Sequence, residues 1–512
     1  MKRIGFYLAG VLLVVLGLIL FGSYETQRKF SRMTESSLKV AYPHEWLVPL
    51  HPASQHTLVE DTIMLNVFES LVHRGGNGLV VPLAAKSYHF SNDFRTLEFV
   101  IDTDRKFSDA SKLTSYDFKR SWQEAFLITP NSAVSSLADI LSVIEGVDDF
   151  AKSKELSGVI TPSPDKLIIK FKTPFRMALM HLTGARFSAF KKVDGEFIGT
   201  GRYMFESQES DHVKMVLNPF STEETDFEVI EAIHDSSPMD KLISGEIDII
   251  ALNAKEAPED RNIGQSYGEE NVGAWLHLNG KPGRFFEDEK RRLAFQYLSW
   301  KVFTEHRERL EKTIGQFRVD FQPFLPFSPG RISNDETEEI ISRGRRYVDS
   351  LIADSKSNPI KVCFAGSLKG VLFELLSQEG LSLVDLNIPI SGVMADLYKH
   401  NTADILVAVA SVHLSDPDGI YHLLGKNGAI TSPMIQREKV TSLLEIGRTL
   451  TDQSRVKNHY ENVSRAILTE VPGVHIGFRY SNYLFRKDKL TITRAIVDRH
   501  FDTLWRLFSL NQ

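Results

Sequence analysis

The first feature of the hydrophobic pattern is an uncharged apolar run, Ile4 to Tyr24, preceded by Lys2 and Arg3. At about 1.5 Å of rise per residue, such a run crosses a bilayer as a helix. The positive-inside rule then puts Lys2 and Arg3 in the cytoplasm and residues 25–512 outside. A cleaved signal peptide has a shorter apolar region and a small-x-small cleavage site. Leu20-Phe21-Gly22-Ser23-Tyr24 is a poor site of that kind, so residues 1–24 are expected to stay as a transmembrane anchor. No Cys follows the run to carry a lipid. Residues 25–36, "ETQRKFSRMTES", are polar and read as a linker lifting the body off the membrane.

Beyond the linker the pattern switches between the two periodicities. "SLKVAY" reads as a short strand, and "LVEDTIMLNVFESLVH" places Leu65, Phe68, Leu71 and Val72 at helical spacing. From Tyr88 to Ile101 the residues alternate around Ser91-Asn92-Asp93, a hairpin signature. "LTSYDFKRSWQEAF" opens on Thr114 and Ser115, carries Asp117 in its first turn and spaces Phe118, Trp122, Ala125 and Phe126 as one helix face. "DKLIIKFKTP" is a strand stopped by Pro174, and "GTGRYMFESQESDHVKMVLNP" a hairpin. "KLISGEIDII" is a helix end with Gly245 past its C-terminus leading into a strand, and "EKRRLAFQYLSW" is a helix. Helices and strands mix without a repeat, which predicts an α/β or α+β body of several lobes.

Length sharpens this: 512 residues exceed what one hydrophobic core organises. Hydrophobic residues at 42% and charged residues at 25% are ordinary for a folded globular protein, so the bulk of the chain should fold. A net charge of −6, with no Lys/Arg run longer than pieces such as Lys290-Arg291-Arg292, argues against a nucleic-acid partner. The single Cys363 excludes an internal disulfide and any multi-cysteine metal site, and its alternating neighbours predict a buried structural thiol.

Catalytic motifs are nearly absent. There is no Gly-x-Ser-x-Gly elbow and no His-Glu-x-x-His, and "GTGRYM" lacks the third glycine and the helix of a dinucleotide site, so its glycines read as turn geometry. Ser188 with Lys191 and Ser454 with Lys457 fit only the loose Ser-x-x-Lys spacing. The pairs His51/His56 and His413/His422 lack a third ligand nearby. The expectation is a protein without a chemical step, cofactor or metal.

One stretch is far more specific. Phe68-Glu69-Ser70-Leu71, Pro82-Leu83-Ala84, Asn92-Asp93, Lys106-Phe107-Ser108-Asp109, Tyr116-Asp117-Phe118 and Ser121-Trp122 stand in one order between Asn66 and Phe126. Gly199-Thr200-Gly201-Arg202-Tyr203, Asn218-Pro219-Phe220, Ser244 to Asp248, Phe285 to Ala294 and Ser415-Asp416-Pro417-Asp418 continue it. In order and spacing the chain resembles the family 5 extracellular solute-binding proteins of ABC importers, the oligopeptide, dipeptide and nickel binder group.

That resemblance implies a two-lobed periplasmic-binding-protein clamp of type II, with an extra small domain, closing around its ligand by hinge motion. The expected division is residues 37–60, 193–270 and 476–512 in lobe I, 61–192 in the small domain and 271–475 in lobe II. It further implies capture of a peptide or similar small solute and delivery to ABC permease subunits, with the bilayer engaged through residues 4–24. The alternative is a membrane-tethered sensing or structural relative that kept the clamp but not transport. The candidate ligand-binding residues are His413, Asp416 and Asp418 on the second-lobe loop, with Phe68 and Glu69 from the first motif. His413 falls at or beside the place where peptide binders of the family carry an Asp for the peptide amino terminus, which puts a free α-amine on the ligand in doubt. Asp416 and Asp418 have a second reading, as caps of a turn beside Pro417. Ala110 and Arg202 depart from the family's glycine and proline.

Overall fold

The computed structural model describes residues 36–511 apart from 43–44, 47, 54–57, 75–79, 129–142, 252–256, 315–316, 326–327, 365–368, 389–395, 397–399, 412–415, 427, 429–430, 432 and 494–503. The apolar run 4–24 lies outside the described residues. Among the described residues no helix is long and apolar enough to cross a membrane.

An eleven-stranded mixed sheet threads the whole body. From one edge its order is Tyr203–Gln208, His212–Leu217, Val229–His234, Ser37–Tyr42, Ile249–Ile250, Gly473–Arg486, Ile263–Leu278, Ile405–Ser411, Ile360–Phe364 and Leu383–Asp385; Phe317–Val319 adds to Gly473–Arg486. Two members are unusual. Ile263–Leu278 has 16 residues and Gly473–Arg486 has 14, against about 5 to 6 for an ordinary strand. They pair antiparallel from Ile263↔Arg486 to His277↔Gly473, and the register breaks between Tyr267 and Glu270, between Glu270 and Val272, and between Ala274 and Trp275. Extra residues in a ladder bend and twist a strand.

The hydrophobic cores divide at those breaks. One core gathers residues between Leu38 and Ala251 with Tyr483 to Phe508, and a small satellite adds Ile263 and Leu484. Three others lie wholly between Ala274 and Phe478. The molecule therefore has two lobes, and the two long strands are what pass between them. A separate four-stranded antiparallel sheet, in the order Ala85–Phe90, Thr96–Ile101, Lys166–Lys170, Val159–Ser163, shares the first lobe's core.

Local chemistry explains several of these elements. The Ala85–Phe90/Thr96–Ile101 hairpin turns through Ser91 to Arg95, with Ser91 Oγ donating to Asp93 at 2.6 Å. Helix Ser115–Ile128 starts where the Asp117 carboxylate accepts the Thr114 N–H at 2.9 Å and the Thr114 hydroxyl at 2.7 Å. Its buried Trp122 donates to the Phe187 carbonyl at 3.0 Å, and Ser121 exchanges hydrogen bonds with Phe190. The Ser-Trp pair thus docks residues 187–190 onto the helix.

Two expectations fail here. The helix expected to run through Phe68 and Leu71 spans only Leu58–Met64. Asn66 stops it by donating its side-chain amide to the carbonyls of Thr62 at 3.0 Å and Ile63 at 2.9 Å, the groups a continuing helix would bond. The apolar spacing of Phe68 and Leu71 reflects burial in an irregular segment instead. Gly199 and Gly201 also serve a purpose other than a turn. A Cβ on Gly199 would stand 2.1 Å from the Val67 carbonyl oxygen, and one on Gly201 2.5 Å from that of Asn66. Gly201 N–H donates to Val67 at 2.9 Å, so the glycines admit the backbone that leaves the helix.

Candidate functional site

Strand direction locates the site. Ser37–Tyr42 runs parallel to Val229–His234 and to Ile249–Ile250, and the last is antiparallel to Gly473–Arg486, which travels from the second lobe to the first. The carboxyl ends at Tyr42, His234 and Ile250 therefore point toward the second lobe. In that lobe Ile405–Ser411 is antiparallel to Ile263–Leu278, with Ile405 opposite Leu278 and Ser411 opposite Val272, and Ile360–Phe364 lies parallel to it. Their carboxyl ends point back toward the first lobe. Both sets of strand ends thus face one gap beside the two long strands, and open α/β sheets bind ligands outside the carboxyl ends of their strands.

On the second-lobe side the chain leaves Ser411 at the gap and re-enters the described residues at Asp416. His413 and Ser415 lie outside the described residues. Asp416 starts a 3-10 turn, Pro417–Ile420, by accepting the Asp418 N–H at 2.8 Å. The same oxygen accepts from Arg176 Nη2 at 2.8 Å. Burial raises the Asp416 carboxyl above its ordinary value, while Arg176 pulls the other way. Asp416 is thus both a cap and a member of a cross-lobe ion pair.

Asp418, expected at the ligand, is fully buried instead. Its carboxylate accepts from the Tyr460 hydroxyl at 3.1 Å and lies 3.4 Å from Arg448 Nε. Arg448 sits over the Tyr421 ring at 3.6 Å and over Phe175, from the other lobe, at 4.8 Å. Burial, with Asp418 next, drives the Tyr460 phenol far above its usual range.

Phe68 and Glu69 are likewise buried, within the first lobe. Phe68 is wholly buried against Phe205 in the first core. Glu69 is 2% exposed, and Arg105 Nη1 donates to both of its oxygens, at 2.7 and 2.8 Å, with Thr200 adding a bond at 2.9 Å. Arg105 also reaches Glu223 at 3.4 Å, and Arg506 binds Glu223 at 2.6 Å. Burial pushes the Glu69 carboxyl up against the pull of Arg105, whereas Glu223, though burial opposes it, is held below its usual range by Arg506 and Arg105. These charges tie three distant segments of the first lobe together.

Other candidates resolve quietly. Cys363 is buried in its strand, and burial raises its thiol to about 11, the inert thiol expected. His277 bonds Thr431 at 2.7 Å and His475 bonds the Asp320 carbonyl at 2.9 Å; burial depresses them to about 3 and about 4, so both are neutral. A cavity of about 460 Å3 opens beside Val48, Pro49, Val67, Phe197, Met204 and Phe205, with walls that all belong to the first lobe. Sequence reasoning missed Arg176, Arg448 and Tyr460, whose partners are distant in the chain, and no local motif singles them out.

Comparison with known proteins agrees with this architecture. Residues 80–299 match the family described as bacterial extracellular solute-binding proteins, family 5 Middle. The periplasmic murein peptide-binding protein MppA of Escherichia coli (strain K12) is 24% identical over 300 residues, 54% of this chain and 54% of its own length, so the match spans about half of that relative. The solved structure of the Escherichia coli murein tripeptide binding protein MppA superposes with a TM-score of 0.79 at 17% identity, covering 93% of this chain and 99% of its own. Burkholderia pseudomallei OppA gives 0.78 at 15% identity with the same coverage.

Proposed function

We propose that the chain acts as an extracellular solute-binding protein of the family 5 kind, without a chemical step, capturing a peptide or similar small solute between its lobes and delivering it to the permease subunits of an ABC importer. The observation that carries this reading is the opposition of strand ends: Tyr42, His234 and Ile250 on one lobe and Phe364 and Ser411 on the other face one gap, with two long strands as its hinge. Capture needs no bond to break, only differential affinity for the closed arrangement.

On the second lobe's side we assign His413 as the ionisable contact to the solute. Residues 4–24 serve as an inner-membrane tether on the extracytoplasmic side. Held on a short linker, the body would meet its permease at an effective concentration of about millimolar. Mass spectrometry of the solute released when the full chain is denatured, followed by calorimetric titration of that solute, tests the proposal. A protein that releases nothing and binds no member of a peptide library refutes it.

A further inference from the structure

We propose that Arg176 sets the closure of the clamp: it is a latch made by the protein itself, separate from the contacts that recognise the solute. This rests on the solute-clamp reading and deepens it. Arg176 follows Phe175, which is 1% exposed in the first lobe's core, and its own side chain is 6% exposed. Three of its hydrogen bonds cross to the other lobe, to Asp416 Oδ1 at 2.8 Å, the Leu450 carbonyl at 3.1 Å and the Gly447 carbonyl at 3.4 Å. The Arg448 guanidinium over Phe175 is a second crossing contact at the same place. Separation of the lobes would break these contacts together, exchanging a buried charge-assisted set for water.

The latch is wired to the site. Asp416 Oδ1, which receives Arg176, is also the cap that starts Pro417–Ile420, and Asp416 stands five positions after Ser411, the strand end at the gap. Closure therefore fixes Asp416 and the turn it starts. The carboxylate is already matched by a cation from the protein, so a solute need not bring an ammonium group to satisfy it. Arg176 is a positioning residue for every solute the clamp takes, whatever its chemistry.

The test is the inter-lobe distance in the full chain, by pulsed electron resonance between spin labels on Leu127→Cys and Val384→Cys, positions 49% and 44% exposed on opposite lobes. Cys363 is buried and its raised thiol will not compete for label. Arg176→Ala and Asp416→Ala should both move the distribution to longer distances, and the double variant no further than either alone. Arg176→Asp with Asp416→Arg should return part of the short-distance population. Solute release, followed with the solute that co-purifies, should quicken by about ten- to a hundredfold in Arg176→Ala, the factor for loss of a bond to a charged group. Arg176→Lys covers the case in which the alanine variant does not fold. Distributions for both alanine variants that coincide with the parent's overturn the latch. If solute still co-purifies in that event, the clamp reading survives; absence of any solute from the parent chain overturns both.

Discussion

Replacing Glu69 by Ala separates a scaffold charge from a ligand contact. The structure gives that carboxylate two hydrogen bonds from Arg105 Nη1 and one from Thr200, and leaves the residue 2% exposed. Removing one partner of a buried ion pair costs about 3 to 5 kcal/mol, because the surviving charge stays in the interior. Here the survivor, Arg105, retains Glu223 at 3.4 Å and Asp102 at 3.6 Å, which places the loss at the lower end, about 3 kcal/mol. For a lobe of this size that is about 5 to 10 °C in melting temperature. The assay is a thermal melt with a urea titration, alongside calorimetric affinity for the co-purifying solute at a temperature where both proteins are folded. Glu69→Ala should melt lower and bind equally well. A variant that melts like the parent but binds its solute tenfold more weakly would refute the scaffold assignment and return Glu69 to the ligand's surroundings.

Other consequences are as direct. Gly199→Ala, whose Cβ would stand 2.1 Å from a backbone oxygen that cannot swing away, should destabilise by at least the 1 to 3 kcal/mol usual for overpacking, measurable as a lower urea midpoint; an unchanged midpoint would mean that Val67 is not where the structure has it. Below the ordinary histidine value of about 6.5 the unfolded chain takes up a proton that folded His277 refuses until about pH 3, so stability should fall by about 1.4 kcal/mol per pH unit for this group as pH drops through that window. His277→Gln should flatten the pH dependence by one proton, and parallel curves for the two proteins would contradict the burial. The anchor reading predicts that the full-length chain fractionates with inner membranes and keeps its N-terminus. Recovery from soluble periplasm with a start between residues 22 and 30 would remove it.

What sequence made legible was local. The hairpin of Ala85–Phe90 and Thr96–Ile101 and helix Ser115–Ile128 are written in alternation, in turn residues and in the Thr114/Asp117 cap, all within a dozen positions of one another. The family motif placed these on one fold, since many short matches in one order constrain topology jointly. Long-range physics was hidden. Asn66 ends a helix whose apolar spacing continues past it, and the spacing alone does not announce the cap. Ile263–Leu278 has a polar middle, "QSYGEEN", which breaks the alternation where the strand passes between lobes. Glu69 became a ligand candidate through the first family motif, and its partner Arg105 sits between Asp104 and Lys106 in what reads as a solvated run. Arg176 and Asp416 are 240 positions apart, and neither carries a local sign of the other.

The passage of two strands between the lobes also fixes an order of assembly during export. Residues with side chains in the second lobe's cores run without interruption from Ala274 to Phe478, whereas the first lobe's core needs both the residues before Ala251 and Tyr483 to Phe508. A chain emerging from a translocation channel amino end first delivers the whole second lobe before the first can close its sheet. The earlier half must wait with Ile249–Ile250 lacking its neighbour until Gly473–Arg486 arrives. Strand edges left open are where chains join other chains. The last forty residues therefore govern whether the lobe that begins the protein is completed or captured by a stranger, and a nonsense codon near the end would cost the beginning of the fold more than its middle.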